Sequence, residues 1–180
     1  MANWYYLMAQ LPSFQVNART PLPLTEEAFL ELCSRFLDSA TFRALKSLSL
    51  EPPRPLVPTG YAAIDAWNSA EHSLRVALAQ IRAQKLHKQF DSPAEALRYE
   101  TTQTARAASN MENPLSAEQH LNAFRAAYIE SLSGTDFFST DALLVYALRL
   151  KLAERIRRFD EEAGKASYRT IYAQILGETA

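Results

Sequence analysis

The residues best suited to chemistry in this chain are its three histidines, His72, His87 and His120. Imidazole nitrogens bind zinc, but a zinc site needs three or four converging ligands, and no two of these histidines have the spacing of an HExxH motif. A two-metal carboxylate bundle needs an ExxH spacing on two helices, whereas Glu71 and Glu118 stand one and two residues before a histidine. We therefore expect surface or interfacial histidines, with no metal and no other cofactor.

Other catalytic patterns are also missing from the sequence. The chain has four glycines and no P-loop, dinucleotide-binding or G-x-S-x-G motif. Its single cysteine, Cys33, has no histidine near it in sequence and is expected to be a half-buried thiol on a helix. The acidic run at 160–162 is more typical of a solvated helix face than of paired catalytic carboxylates. We therefore do not expect this protein to be an enzyme. The alternative left open is an active site assembled from residues that are distant in sequence.

Basic residues cluster toward the ends of two predicted long helices. The net charge is −1, so neither nucleic acid nor an anionic membrane is an expected direct partner. Such cations are typical of solvated faces that complement helix C-termini, and the alternative is a charged surface that docks another protein. The residues that would contact such a partner are Arg75, Arg82, Lys85, Lys88, Arg155 and Arg158.

The elements that carry these residues are predicted to be helices. The chain has 180 residues, of which 48% are hydrophobic, and is expected to form a single helical domain over 1–180. Apolar periodicity predicts an irregular all-α bundle of six or seven helices, with long helices near 61–90 and 140–163. Four prolines at 51–58 predict a rigid internal connection, with a domain boundary as the alternative. Residues 3–11 are compatible with a short helix or a strand.

Helical spacing also predicts which side chains are buried. Trp67 and Leu74 lie on the apolar stripe of the first long helix, and Leu148 lies on that of the last. Glu71 and Arg75 have the i, i+4 spacing of an ion pair that stabilises an isolated helix. For the helix near 116–132, the residues predicted to face the core are Leu121, Phe124, Tyr128 and Leu132.

Several local signals predict where helices begin and end. Asp38 is expected to cap a short helix, and residues 92–95 have the cap, proline and glutamate of a strong start. Ser116 with Gln119 predicts a capping box at the start of the next helix. Gly164 is expected to break the last long segment.

Three parts of the chain resemble a bacterial family of unassigned function that is encoded together with the subunits of V-type ATPases. They are residues 5–12 (YYLMAQLP), residues 74–86 (LRVALAQIRAQKL), and the succession NPLSAE at 113–118, YALRLKLAER at 146–155 and FDEEAG at 159–164. Members of that family are similar to the C subunit of V-type ATP synthases, the counterpart of the eukaryotic d subunit. The C subunit proper is much longer and is built from three related helical lobes, whereas this chain shows no such repeat.

The resemblance implies a non-catalytic accessory subunit of a rotary ATPase that transports protons or sodium ions. Such a protein would be cytoplasmic and peripheral to the inner membrane, which it would reach only through its partners, the membrane rotor ring and the central shaft. It would couple the shaft to the ring through surfaces of complementary shape. The resemblance implies no catalytic residues. The alternative is a helical adaptor or regulator, unrelated to ion transport, that binds a partner helix in a groove.

Overall fold

The computed structural model describes residues 4–17, 21–90, 97–158, 161–175 and 177, and this part of the chain contains eight helices and no strand. The helices are α1 (Trp4–Gln10), α2 (Glu26–Ser34), α3 (Ser39–Ser47), α4 (Ala62–Lys85), α5 (Tyr99–Ser109), α6 (Pro114–Ser131), α7 (Thr140–Arg157) and α8 (Glu161–Ile175). The predicted all-α fold is confirmed. The N-terminal segment, which is compatible in sequence with a helix or a strand, forms a helix.

Helix α7 is the central element of the fold. Half of its residues are buried, including Leu144, Leu148 and Leu152, and it packs against α2, α3, α4 and α6. The Ser139 hydroxyl accepts a hydrogen bond from the Ala142 amide at 3.1 Å, which satisfies one free donor of the first turn. An apolar sector this wide indicates a helix that is covered on several sides.

Side-chain contacts fix the relative directions of α4 to α7. Helix α5 runs parallel to α4, because Ser73 is 3.0 Å from Thr101 and Lys85 donates to the carbonyl of Ser109. Helix α6 is antiparallel to both, and α7 is antiparallel to α6. The ends of α4, α5 and α7 therefore lie beside the start of α6, and we call this end of the bundle the distal end.

Two apolar clusters are separated by a layer of buried polar side chains. The larger cluster surrounds α7 and includes Trp67 and Ile129, while the smaller one joins Leu74 and Leu121 with α5. Between them, along both α4 and α6, lie the buried side chains of Glu71, Asn122 and Arg125. Trp67 and Leu74 are buried as predicted, and a charged layer interrupts the stripe that contains them.

The N-terminal helices cover the face of α7 that lies away from α5. Leu7, Phe29 and Leu45, from α1, α2 and α3, are all buried in the larger cluster. Tyr146 on α7 donates a hydrogen bond to the carbonyl of Pro12 at 2.9 Å, and Arg149 donates to that of Phe14 at 2.8 Å. Burial raises the pKa of Tyr146 to about 12, against a smaller opposing effect of the nearby Arg149.

The proline-rich connection between α3 and α4 packs onto the bundle. Pro52 is buried, and just before it the carbonyl of Ser49 accepts a hydrogen bond from the Trp67 indole at 3.3 Å. The peptide bond between Arg54 and Pro55 is cis. These contacts place the connection against α4 rather than away from it.

Helix starts follow the sequence signals in part. Asp38 caps α3 by accepting from the amides of Ala40 and Thr41, and these bonds lower the pKa of its carboxyl. The capping box at Ser116 is wrong, because α6 begins two residues earlier, with Pro114 in its first turn and the Asn113 side chain accepting from the Leu115 amide at 2.9 Å. The start predicted at 92–95 lies outside the described residues.

The two predicted long helices are shorter than expected. Helix α4 ends at Lys85, and the segment predicted at 140–163 contains α7 and the start of α8. Gly164 does not break this segment, because it lies inside α8, where it is exposed. An exposed glycine is tolerated within a helix at a cost of about 1 kcal/mol relative to alanine.

Truncating Leu148 should strongly destabilise the fold. Its side chain is fully buried in the larger cluster, so Leu148→Ala should lower the free energy of unfolding by about 2–5 kcal/mol. Urea unfolding followed by circular dichroism measures this loss. Leu86→Ala, at an exposed site, is the control, and equal stability of Leu148→Ala and wild type would contradict the register of α7.

Cys33 should be unreactive in the folded protein. Its side chain is fully buried, and this burial raises the pKa of the thiol to about 12, so almost none of it is thiolate at pH 8. We expect a disulfide reagent at pH 8 to label the thiol only at the rate of unfolding, and at once in strong denaturant. Rapid labelling of the native chain would show that the thiol is accessible.

Candidate protein-docking site

The charged layer inside the bundle is built around one buried ion pair. Arg125 Nε lies 3.0 Å from Glu71 Oε2, and Arg125 Nη2 lies 3.0 Å from Glu71 Oε1, so the guanidinium binds the carboxylate with two parallel hydrogen bonds. Glu71 is 2% exposed and Arg125 is 5% exposed. The pair joins the middle of α4 to the middle of α6.

Neighbouring side chains complete the hydrogen bonding of this pair. Arg75 Nε donates to Glu71 at 2.8 Å, so the predicted i, i+4 pair exists but is part of a larger network. Arg125 Nη1 donates to Asn122 at 3.1 Å and to Glu118 at 3.2 Å. With its donors and acceptors occupied, this network has the properties of a structural link between helices, and it offers no free acid, base or nucleophile.

The network extends to α7 through Glu118. Arg155 Nη2 lies 2.7 Å from Glu118 Oε1, the same oxygen that Arg125 approaches. On the opposite side, Arg75 Nη2 reaches Glu51, in the connection before α4, at 3.5 Å. The network therefore joins α4, α6, α7 and the proline-rich connection.

The structure places the six predicted partner-contact residues in two groups. Arg75 and Arg155 are half-buried and belong to the internal network, so their charges are already neutralised. Arg82, Lys85, Lys88 and Arg158 are exposed at the distal end. Within this second group, Lys85 donates to the final carbonyl of α5. That these residues contact a partner stays a prediction.

Two further exposed cations lie at the distal end. Arg106, on the last turn of α5, and Arg157, on the last turn of α7, join the four exposed residues there. Described acidic side chains nearby include Glu112, which is exposed, Glu118, which is half-buried and paired, and Glu154, which is half-buried and accepts a hydrogen bond from the Glu26 amide. The side chains of the acidic run at 160–162 lie outside the described part of the chain.

A shallow groove lies between the start of α5 and the end of α6. It encloses about 500 Å³. Helix α6 contributes Phe124, Ala127, Tyr128 and Ser131 to it, at i, i+3, i+4 and i+7, and Tyr99 of α5 forms its edge with 77% of its surface exposed. Phe124 and Tyr128 stack with their ring centroids 6.4 Å apart. Such a groove is suited to an apolar helix.

This groove corrects the predicted buried face of α6. Leu121 is buried as expected, but Phe124, Tyr128 and Leu132 are only half-buried. The buried residues of α6 are Leu121, Asn122, Arg125 and Ile129. Compared with the predicted orientation, α6 is rotated about its own axis, because Arg125 must face Glu71. This rotation turns the rings of Phe124 and Tyr128 toward the groove.

A second aromatic surface lies at the end of the bundle opposite the distal end. The rings of Tyr5 and Phe138 are 4.6 Å apart, and both residues are exposed, as are Tyr6 and Phe137. Sequence reasoning missed this contact because it joins α1 to the connection between α6 and α7. The signal available in the sequence was the density of aromatic residues at each site.

The described residues offer neither a metal-binding cluster nor a membrane span. Within them, no group of three or more histidine, cysteine, aspartate or glutamate side chains is placed to hold a metal ion. None of the helices in the same part of the chain has both the length and the apolar character needed to cross a membrane.

Comparison with known proteins yields one match. A family model described as "Protein of unknown function (DUF2764)" matches residues 78–179, which is more than half of the chain. This region includes the end of α4, the α5–α6 groove, α7 and all of α8. No curated protein and no solved structure matches the chain.

Breaking the buried ion pair should destabilise the protein far more than breaking an exposed one. Among the described residues, Arg125→Met leaves the buried carboxylate of Glu71 with Arg75 as its one cationic partner, and we expect a loss of about 3–5 kcal/mol in the free energy of unfolding. Denaturant unfolding measures it. The matched control is Arg35→Met, which removes an exposed i, i+4 pair with Glu31 and should cost at most about 1 kcal/mol.

A double variant separates the energetic effect of losing the ion pair from the effect of changing the side-chain volumes. Glu71→Leu combined with Arg125→Met removes both buried charges, so its loss should be smaller than the sum of the two single losses. Additive losses would show that the two side chains do not stabilise each other.

Proposed function

The chain belongs to the DUF2764 family of proteins of unknown function, and on that premise we propose that it is a non-catalytic accessory subunit of a V-type ATPase. In this role it is cytoplasmic, reaches the membrane through its partners, and couples the central shaft to the membrane rotor ring during proton or sodium transport. It transmits torque through complementary surfaces, and no bond is made or broken in it.

The observation that carries this proposal is the distal end. Three helices finish there and a fourth begins, and the exposed side chains around them are Arg82, Lys85, Lys88, Arg106, Arg157 and Arg158. Cations on parallel helix ends form a surface complementary to an acidic partner, and such charges steer association and fix its orientation. A protein held between a shaft and a ring requires a directional contact of this kind.

The stiffness of the bundle supports the same role. Force is transmitted through packed helices only if they do not slide, and the ion network links the middles of α4 and α6 and, through Glu118, the last turn of α7. Close packing around α7 also opposes sliding of the helices, since the side chains of Leu143, Leu144 and Leu148 have no exposed surface. The resemblance of residues 74–86 and 146–155 to the ATPase-associated family concerns these same helices.

The α5–α6 groove favours a second candidate function. An apolar groove edged by aromatic rings is typical of adaptors that bind a partner helix, and such a protein has no role in ion transport. The two candidates differ in what deletion of the gene does. Loss of a coupling protein prevents assembly of an active ATPase, whereas loss of an unrelated adaptor leaves assembly intact.

The direct test is affinity purification of the tagged full-length chain from native membranes. We expect the wild-type chain to recover V-type ATPase subunits at low salt, and less at high salt, because exposed charge pairs are screened. Reversing Arg82, Lys88 and Arg158 to glutamate should abolish recovery at an unchanged melting temperature.

The matched control reverses three exposed cations elsewhere, Arg35, Arg43 and Lys46, and should recover the subunits as wild type does. Wild-type chain that recovers none of the ATPase subunits would refute the proposed function. Normal recovery by the distal-end variant would show that the basic end is not the contact.

A further inference from the structure

Helix α8 presents an apolar stripe that the rest of the chain does not cover. Tyr168, Ile171, Tyr172 and Ile175 lie on one face at i, i+3, i+4 and i+7, and they are between 51% and 76% exposed. The rings of Tyr168 and Tyr172 stack with centroids 5.9 Å apart. No residue of α8 belongs to either apolar cluster among the described residues.

This stripe has the spacing of a helix that docks in a groove. Anchors at i, i+3, i+4 and i+7 are the pattern by which amphipathic helices enter apolar grooves. The four anchors extend over seven residue steps, which is about 10.5 Å at about 1.5 Å per residue. A stripe of large exposed apolar side chains on an otherwise polar helix indicates an interaction surface.

The α5–α6 groove matches this stripe in length and spacing. Its α6 wall is formed by Phe124, Ala127, Tyr128 and Ser131, which have the same i, i+3, i+4, i+7 spacing and therefore the same length of about 10.5 Å. Ala127 lies near the middle of that wall and leaves room for a large side chain. Tyr99 and Thr104 of α5 border the opposite side.

One pair of opposite charges is also available to the two surfaces. Along one edge of the α8 stripe lies the exposed Arg169. On the α5 wall of the groove lies the exposed Glu100, which forms no ion pair with the described residues. A helix seated in the groove can place these opposite charges at the rim, where they would orient the contact.

We propose that α8 of one copy of this chain docks in the α5–α6 groove of a second copy. Each copy offers one helix and one groove, so the reciprocal exchange closes a symmetric dimer with two identical contacts. Both surfaces lie within residues 78–179, the region that the family shares. This inference does not rest on the proposed ATPase function, and it concerns surfaces other than the basic distal end.

The test uses cysteine cross-linking between two differently tagged chains. Ile171→Cys in one chain and Ala127→Cys in the other place thiols near the centres of the two stripes, so they meet whether the helix enters the groove in one direction or the other. Disulfides form when the two Cα atoms are about 4.4–6.8 Å apart. The native Cys33 is buried and does not compete. We expect a heterodimeric disulfide under mild oxidation.

The matched control replaces Ile171→Cys with Thr170→Cys, which puts the thiol on the opposite, polar side of α8. Thr170 is exposed, so its thiol is equally accessible to oxidant, but it should not cross-link to Ala127→Cys. Equal cross-linking by both positions would overturn the proposal, since it would reflect random collision.

Sedimentation over a series of concentrations measures the association without cysteines. We expect a monomer–dimer equilibrium whose dissociation constant rises at least about tenfold, or about 1.4 kcal/mol, in the variant Ile171→Ser with Tyr172→Ser. Ala127→Arg should weaken it similarly from the groove side. These variants should keep the wild-type melting temperature, because Ile171, Tyr172 and Ala127 belong to neither core cluster.

Two results would overturn the proposal. The first is a chain that stays monomeric at every concentration. The second is a chain with both Ile171→Cys and Ala127→Cys that forms its disulfide within a single molecule at high dilution, because α8 would then occupy its own groove. Neither result would bear on the proposed ATPase function, which is tested separately by the recovery of ATPase subunits through the basic distal end.

Discussion

The arrangement of this bundle depends on the buried ion pair between Glu71 and Arg125. The pair lies between the two apolar clusters, so α4 and α6 can bring their apolar residues together only where the two charges also meet. Sliding one helix past the other by a turn, about 5.4 Å, would bury each ion against apolar side chains without its partner. Such a state costs several kcal/mol, and the pair therefore selects one register.

The same pair explains how rigidity extends beyond two helices. Arg125 shares Glu118 with Arg155 on α7, and Glu71 is shared with Arg75, which reaches the connection before α4. The charges of Glu51 and Arg155, at the two ends of this network, are partly exposed to solvent. Those of Glu71 and Arg125, at its centre, are buried. These shared ion pairs join α4, α6, α7 and the proline-rich connection into one network.

The surfaces available for function lie outside this rigid interior. The cations of the distal end surround converging helix ends. The apolar stripe of α8 lies apart from the core clusters, and the α5–α6 groove is an apolar surface on their outer side. The two kinds of surface suit different contacts, since charges steer and orient a partner while apolar stripes add buried area. One chain can therefore use both at the same time.

Local reasoning from the sequence succeeded where the relevant property belongs to one helix. The all-α fold and the burial of Trp67 and Leu74 follow from apolar spacing along the chain, and the cap at Asp38 follows from its neighbours. The face of α6 could not be assigned in this way. A signal was nevertheless present, because Glu71 occupies a place within the apolar stripe of α4, and a charge there indicates a buried partner on another helix.

That partner is Arg125, 54 residues further along the chain, and apolar spacing within α6 alone does not identify it. The sequence by itself determined which segments are helical, the cap at Asp38 and the absence of any familiar catalytic motif, because these depend on neighbouring residues. Only the tertiary structure decided that α5 runs parallel to α4, that six basic side chains gather at one end, and that α6 turns two aromatic rings into a groove. Each of these depends on contacts between residues far apart in the chain, and the requirement that a buried charge meet its partner is the physical reason for the last of them.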